Sequence, residues 1–517
     1  MRNEIWVMKV MITAIIVVQI VFGQLINWNA NNITITTEAE LREFARRVNG
    51  TDGFAANSFQ GKTVKLGNDI NLTSSWMPIG NYLIPERNFA GIFDGNEKKI
   101  SNVDVSDNSV YAGLFGYVKE GGQIKNLTVN VNEIKTGFKD KVYAGGLAAY
   151  YASEKPIVNC RVNIRDSICA NAYSGSLIDT VIGNSGGLAG GGGGKNTLTI
   201  SNCYVTGNVS SSSNSFSYSG GLVGKADNTL TISNCYATGQ VHSNSNSSSG
   251  FQFSYSGGLV GKADNTLTIS NCYTMGDISA ISEGHNSSFN RIKSFSGGLV
   301  GSADNTPTIS NCYKTGSVSS ASFNTYNPSY SYSYSGGILG ESASGTNTSV
   351  YYDNWEVSGA VGNGDATGIV GVSPVELRRQ TTFVDWDFVN TWGINPEIND
   401  GFPYLLWSIP GDDTPICNIK ESADKYGILL SSNIVSQKAE MRMVTPSGDR
   451  ILQVRAVVYD NVGNVVFDKT ETGDKITWDL TNNAGRNVAN GTYLVIADVK
   501  SSNKKIYRYS AKIGVKK

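Results

Sequence analysis

Histidine is almost missing: His242 and His285 are the only two in 517 residues. That leaves little room for histidine-held zinc or a serine–histidine couple. No HExxH stretch is present, so zincin chemistry is excluded. Charge is scarce too, at 16% of residues against about 25% in an average soluble chain. With 42 Lys/Arg against 43 Asp/Glu the net charge is −1. No basic excess offsets phosphate, which excludes nucleic acid as a leading partner. Long apolar runs are confined to the amino terminus, and no later segment approaches the ~20 residues of a membrane-spanning helix. There is no phosphate loop either: Gly190–Gly194 are followed by Lys195-Asn196, not by the Lys-Ser/Thr that cradles phosphate.

Glycine, by contrast, is abundant at 58 residues, and 40% hydrophobic with 10% aromatic content excludes wholesale disorder. The length exceeds what one core organises, so several modules are expected. Arg2 and Lys9 flank the start of an apolar run, Val10 to Phe22, broken only by Thr13 and Gln19. With small Gly23 before Gln24, residues 1–23 read as a cleaved signal peptide, an uncleaved anchor being the alternative.

Repeats set the architecture. GGLAGGGGGKNTLTISNCYVTGNV (186–209), GGLVGKADNTLTISNCYATGQV (220–241), GGLVGKADNTLTISNCYTMGDI (257–278) and GGLVGSADNTPTISNCYKTGSV (297–318) nearly copy one another. A fifth, degenerate copy starts at Gly336, and weaker ones at Ala112 and Ala144. The second glycines, Gly187, Gly221, Gly258, Gly298 and Gly337, recur every 34 to 40 residues, the period of a stacked array. Thr-Leu-Thr-Ile alternates polar and apolar, a strand signal, and the glycine pairs and Asp-Asn mark turns. Helix-pair solenoids are excluded, and a β-helix fits better than a propeller blade, with coils stacked at about 4.8 Å.

Stacking gives the identical positions a meaning. Cys203, Cys235, Cys272 and Cys312, joined by Cys160, form a column of reduced thiols. The competing reading is metal or redox chemistry, but one cysteine per coil makes no tetrahedral cage. Asn202, Asn234, Asn271 and Asn311 form an amide ladder, and Tyr204, Tyr236, Tyr273 and Tyr313 an aromatic column. Cys169 and Cys417 stay unplaced. Asp227, Asp264 and Asp304 align in Ala-Asp-Asn turns. They are read as exposed turn residues, with calcium as the weaker alternative that would relieve their repulsion.

Between the copies lie Ser/Asn-rich insertions, 210–219, 242–256, 279–296 and 319–335, read as variable loops. Residues 181–350 hold only 6 Lys/Arg and 6 Asp/Glu. A charge-poor surface rich in hydroxyls and tyrosine suits polysaccharide or protein contact. Tyr218, Tyr255, Phe295 and Tyr334, each two residues before a glycine pair, are expected to stack structurally. Phe251, Tyr326 and Tyr330 are the candidate ligand-binding residues.

The ends need caps. Thr37-Glu38-Ala39-Glu40 is a capping-box pattern, followed by Leu41, Phe44, Ala45 and Val48 at helical spacing. Trp386, Phe388, Trp392, Phe402, Tyr404, Leu405 and Trp407 could cover the far end. Together with EAELREFARRVN, GKTVKLGNDINL, WMPIG, FAGIFDG and YAGLFG, the GGLVG units resemble the GLUG motif family of bacterial exported proteins, over roughly residues 33–407. The resemblance implies a right-handed parallel β-helix on a secreted or cell-surface protein. It implies no activity; some relatives carry a zinc protease domain that this chain lacks.

After the polar linker 410–420 the charge rises, with 16 Lys/Arg against 12 Asp/Glu in residues 412–517. Alternating runs at 451–459, 475–480 and 492–499, separated by Asn/Gly turns, read as an Ig-like antiparallel sandwich. VVYDNVGNVVF, WDLTNNAGRNVANGTYLVIADV and AKIGVKK are similar to the C-terminal sorting domains of type IX secretion substrates. They also resemble the Ig-like domain of flagellar hook-capping proteins. The resemblance implies export through the outer membrane of a Bacteroidota-like bacterium, with Lys512, Lys516 and Lys517 as the basic tail. An ordinary Ig-like spacer is the alternative.

The expected order is therefore a signal peptide (1–23), a capping segment with first coils (24–110), a GLUG-repeat β-helix (111–375), a closing segment (376–409), the linker and a sorting domain (421–517). The expected class is all-β. The expected function is an adhesin or structural, ligand-binding β-helix, non-catalytic and without cofactor or resident metal. Its partners would be polysaccharide or a host or matrix protein, plus the secretion machinery. The alternative is a polysaccharide lyase or hydrolase on the same scaffold, which needs paired carboxylates or calcium with a basic residue. Asp385 and Asp387 are two apart but sit among aromatics.

Overall fold

The computed structural model describes residues 26–408 and 427–516, less 82–83, 108, 174–180, 194–196, 248–250, 285–290, 326–327, 343 and 397 in the first stretch and 431–433, 436–437, 445–450, 461–463, 483 and 502–505 in the second. The signal-peptide run, the linker, Tyr326, Cys417 and Lys517 lie outside the described residues. The chain divides into two compact units, Met1–Ile409 and Pro410–Lys517.

The first unit is a parallel β-helix. The coil strands pair in parallel with their counterparts one repeat later, building two large sheets, and only the closing segment holds a short antiparallel pair, Trp392–Gly393 with Tyr404–Leu405, among the described residues of this unit. Strand Leu230–Thr238 pairs with Leu267–Met275, which pairs with Thr308–Thr315, placing Ile232, Ile269 and Ile309 in one inner column. Those isoleucines, with Leu230 and Leu267, are completely buried. The alternate positions Thr231, Ser233, Thr268 and Ser270 face outward and are only half-buried. The period-2 pattern thus sets which face is core.

The glycine pair is a steric necessity. A Cβ on Gly220 would sit 1.9 Å from the Val223 carbonyl oxygen, and one on Gly221 2.0 Å from that of Gly258. The colliding atoms are backbone of the same turn and of the next coil, so no rotamer change relieves them.

The helix Glu38–Asn49 starts at the predicted capping box. Glu40 N–H donates to Thr37 Oγ1, and the Glu40 carboxylate accepts from Thr37 N–H. Its apolar face, Leu41, Phe44, Ala45 and Val48, is buried. Phe44 packs edge-on against Phe59 and Phe89 at 5.0 and 5.7 Å and stacks on Phe93 at 5.9 Å, closing the first coils.

Two expectations are corrected. The Ser/Asn-rich insertions are mostly strands: Val209–Ser213 and Phe216–Gly220, Val241–Ser247 and Gln252–Gly257, Ile278–Gly284 and Ile292–Gly297, Val318–Asn324 and Ser331–Gly336. Each pair extends both sheets sideways into a two-layered lobe. Serine every second residue is a strand period with a hydroxyl in place of an apolar side chain, so polarity concealed the alternation. The aromatic closing segment, in turn, packs along a flank. Leu377, Phe383, Trp386, Trp392, Phe402 and Leu405 cluster with Tyr273, Tyr313 and Tyr351 of successive coils.

The second unit is a small β-sandwich. One sheet orders strands Gly427–Leu430, Ala439–Val444 and Lys475–Trp478. The other contains Ile451–Tyr459, Val465–Thr472, Gly491–Ser501 and Ile506–Val515, with the short strand Ile434–Val435 at one edge. Met441, Val454, Val458, Trp478, Val495, Val499 and Ile513 fill the space between.

Candidate functional site

Most of the repeat chemistry is spent between coils. Cys160, Cys203, Cys235, Cys272 and Cys312 are completely buried and free. Each of the last four donates its thiol to a backbone carbonyl two residues back, at 3.0 to 3.1 Å. Burial, chiefly, pushes the Cys203, Cys235 and Cys272 thiols well above their ordinary range. Cys169 is half-buried and its thiol donates to Asn171 Oδ1 at 3.3 Å.

The asparagines adopt the left-handed backbone conformation, φ 51°, 52°, 51° and 50° at Asn202, Asn234, Asn271 and Asn311. Asn tolerates this corner better than other non-glycine residues. Asn311 donates to Asn271 at 3.3 Å, Asn271 to Asn234 at 3.2 Å, and Asn202 to Asn159 at 3.3 Å.

The lobe interior is a hydroxyl core. Ser211, Ser217, Ser219, Ser243, Ser245, Ser254, Ser256, Ser282, Ser294 and Ser296 are essentially inaccessible. They bond across the two layers, as Ser211 does to Ser217 and Ser219 at 2.6 and 2.7 Å and Ser243 to Ser256 at 2.7 Å. They also reach carbonyls of the next coil, as Ser256 does to Ser279 O at 2.5 Å and Ser296 to Ser319 O at 2.6 Å. Burying so many hydroxyls is tolerable because each finds a partner.

On the outer face of the second sheet the rings stack in a column: Tyr218 on Tyr255 at 5.0 Å, Tyr255 on Phe295 at 4.8 Å, Phe295 on Tyr334 at 5.3 Å. Stacked face to face, they turn only their edges outward. Beside them runs an ionic chain that the sequence reading missed. Lys225 Nζ lies 2.5 Å from both Asp227 and Asp264, and Lys262 Nζ 2.6 Å from both Asp264 and Asp304. The aligned aspartates therefore have lysine ammonium groups as counterions, in place of the calcium or bulk-solvent screening weighed above. Burial raises the Asp264 carboxyl, but the two ammonium groups outweigh it and hold the group below its usual range. The signal was available: Gly-Lys-Ala-Asp puts Lys and Asp on the same side at i, i+2.

The predicted binding residues fare differently. Phe251 is 54% exposed at the lobe tip and stacks on Phe253 at 6.0 Å. Tyr330 is half-buried in the short turn Pro328–Tyr330. Tyr326 lies outside the described residues. Phe323, 54% exposed, and Tyr332, 39% exposed, share the lobe and were not singled out by sequence. Lys512 is exposed within a strand, opposite Leu494, so it is not part of a free tail; Lys516 follows that strand and is exposed. Among the described residues, no three His/Cys/Asp/Glu side chains gather closely enough to hold a metal ion, and no helix is long and apolar enough to cross a membrane.

These features define a repetitive parallel β-helix whose coil is one repeat long. The coil carries a named signature: the family profile described as the GLUG motif matches residues 217–241, from the inner serine Ser217 through the glycine pair and the cysteine to Val241. No curated protein matches the chain. Among solved structures, a Bacteroides ovatus protein described as a candidate immunoglobulin A1 protease is similar at 16% identity and TM-score 0.42, over 73% of this chain and 93% of that one. Latent PorU from Porphyromonas gingivalis matches at 23% identity and TM-score 0.16, over 22% of this chain and 10% of that one. CopC from Methylosinus trichosporium matches at 17% identity and TM-score 0.14, over 18% of this chain and 93% of that one. With TM-scores below 0.5, none of the three bears on function.

Proposed function

We propose that this chain is an exported surface or secreted β-helix that acts as an adhesin or structural, ligand-binding rod and is not an enzyme. The supporting observation is where the polar chemistry goes. Thiols, amides, serine hydroxyls and the Lys–Asp chain are all engaged within a coil or between neighbouring coils, which suits a stiff scaffold. What stays outward is a lobe whose tip carries the exposed Phe251, with Tyr330 half-buried in the turn Pro328–Tyr330. An exposed rigid ring gives contact area at low entropy cost, which fits a polysaccharide or a host or matrix protein. The C-terminal sandwich serves export by a type IX-like route, with Lys512, Lys516 and Lys517 as its basic end.

The test is a glycan array probed with the secreted mature protein while reducing-sugar and unsaturated products are monitored. Retention without turnover, weakened by Phe251→Ala, Tyr326→Ala or Tyr330→Ala, is the expected result. Turnover of any retained glycan would overturn the non-catalytic reading. Removing residues 410–517 should leave the protein unexported; undiminished export would sink the sorting role.

A further inference from the structure

The lobe does not end as the rest of the solenoid does. Its last rung is Val318–Asn324 and Ser331–Gly336. Among the described residues these strands pair with Ile278–Gly284 and Ile292–Gly297 on one side only. The following coil, Thr346–Asp353 and Val361–Asn363, stacks on Thr308–Thr315 and Leu339–Ser342. It continues the core and covers only the root of the lobe, where Gly362 lies against Ser335 and Tyr334. Inward-facing positions record the consequence. Ser294 and Ser296 are 0% exposed, whereas their rung partners Ser333 and Ser335 are exposed. Ser282 is inaccessible and its partner Ser322 is half-buried. Ser331 Oγ is shielded yet has no hydrogen-bond partner. Among the described residues, two strand edges, 318–323 and 331–335, and a strip of hydroxyl core therefore stand open back to back.

We propose that a second copy of this chain covers this end, the two lobes joining edge to edge through Val318–Asn324 and Ser331–Gly336. Open edges are normally blunted by lysine, proline or a bulge. Neither strand contains a charged residue or a proline, so like edges meet without repulsion. Nearest the glycine pair the rungs stack like on like, Ser217, Ser254, Ser294 and Ser333 in one column and Ser219, Ser256, Ser296 and Ser335 in another, with Phe295 over Tyr334 at 5.3 Å, whereas farther out Phe253 meets Lys293 and Glu283 meets Phe323. The best complement to such a rung is another of the same kind with its own edge unpaired. A second copy supplies one for each layer and is closed by the same contact, which is an isologous interface. A single extended peptide would pair one layer and leave the other open.

The experiment is size-exclusion chromatography with light scattering on the full mature chain over a concentration series. The wild type is expected at twice the chain mass. Tyr332 is exposed within the open stretch, so in a two-fold contact through this strand a charge placed there faces the partner's edge. Tyr332→Lys and Tyr332→Glu should each run at the single-chain mass, and their equimolar mixture should return to twice it. Ser333→Pro, which an edge tolerates, should also be monomeric with unchanged circular dichroism. A wild type at single-chain mass throughout, or a Lys/Glu mixture that stays monomeric, would overturn the proposal.

Discussion

The Tyr150 hydroxyl donates to Asp227 Oδ2 at 2.9 Å, across 77 residues of chain. The bond passes over the coil that carries the glycine run. In register, Tyr150 is followed one coil later by Gly191 and then by Lys225. A Cβ on Gly191 would lie 2.7 Å from the Tyr143 ring and 2.8 Å from the Tyr150 ring. The run that resembles a phosphate loop by composition is thus a bed for two tyrosines. Burial, helped by the Asp227 charge, keeps the Tyr150 phenol protonated far above its usual range.

Gly191→Val should therefore push both rings aside and break the Tyr150–Asp227 bond. Overpacking of this kind costs about 1–3 kcal/mol. The expected readout is a lower denaturation midpoint and increased tyrosine accessibility. An unchanged midpoint would contradict the packing described.

The glycine pair should be less forgiving. A Cβ on Gly258 would meet the Gly298 carbonyl oxygen at 2.1 Å and Thr274 at 2.8 Å, while one on Gly359 meets nothing closer than 3.9 Å. Gly258→Ala is expected to lose upwards of about 3 kcal/mol or to fail to fold, since backbone must move. Gly359→Ala should behave as wild type.

The column thiols should resist modification. Cys160, Cys203, Cys235, Cys272 and Cys312 are inaccessible, and Cys169 is not. Alkylation of the native protein, read peptide by peptide by mass spectrometry, should mark Cys169 and spare those five. Denaturant should release all of them. Labelling of the five in the native state would remove the buried ladder.

Lys314 should give the β-helix a pH dependence in the alkaline range. It occupies the inner column of Val205, Ala237 and Thr274 and is completely buried. Its ammonium donates to Ser317 O at 3.0 Å and to Gly316 O. Burial pulls its pKa from 10.5 down to about 7, against the opposing charges of Asp277, Asp353 and Glu356. Between those two values the unfolded chain holds the extra proton, so stability is full above the unfolded pKa and falls as pH drops toward about 7. Melting temperature should rise from pH 7 to pH 10 in the wild type, and the part due to this residue should vanish in Lys314→Met. Identical slopes in both proteins would rule out its titration.

Much of this architecture is legible in the residues themselves. Thr-Leu-Thr-Ile-Ser with a repeated glycine pair dictates short stacked strands, because alternation sets the buried face and a glycine pair admits the next coil's backbone. The helix Glu38–Asn49 follows from Thr37 and Glu40, and the sandwich strands from runs such as Ile451–Tyr459. These are local or strictly periodic effects, so one dimension suffices. The lobe strands escaped because Ser211 or Ser254 reads as loop when polarity stands in for exposure. Only the opposite layer, supplying a hydroxyl or carbonyl within bonding distance, makes a serine a core residue. The same holds for Asp264 and Asp304, each of which takes a lysine counterion from the neighbouring coil, and for the closing tryptophans, whose resting place is a flank built by several rungs. The sequence alone determined the coil, its period and the capping helix Glu38–Asn49. The tertiary structure alone decided which polar side chains are interior and which partners neutralise them, because those contacts close between layers and coils, from Ser211–Ser217, 6 positions apart, to Tyr150–Asp227, 77 apart.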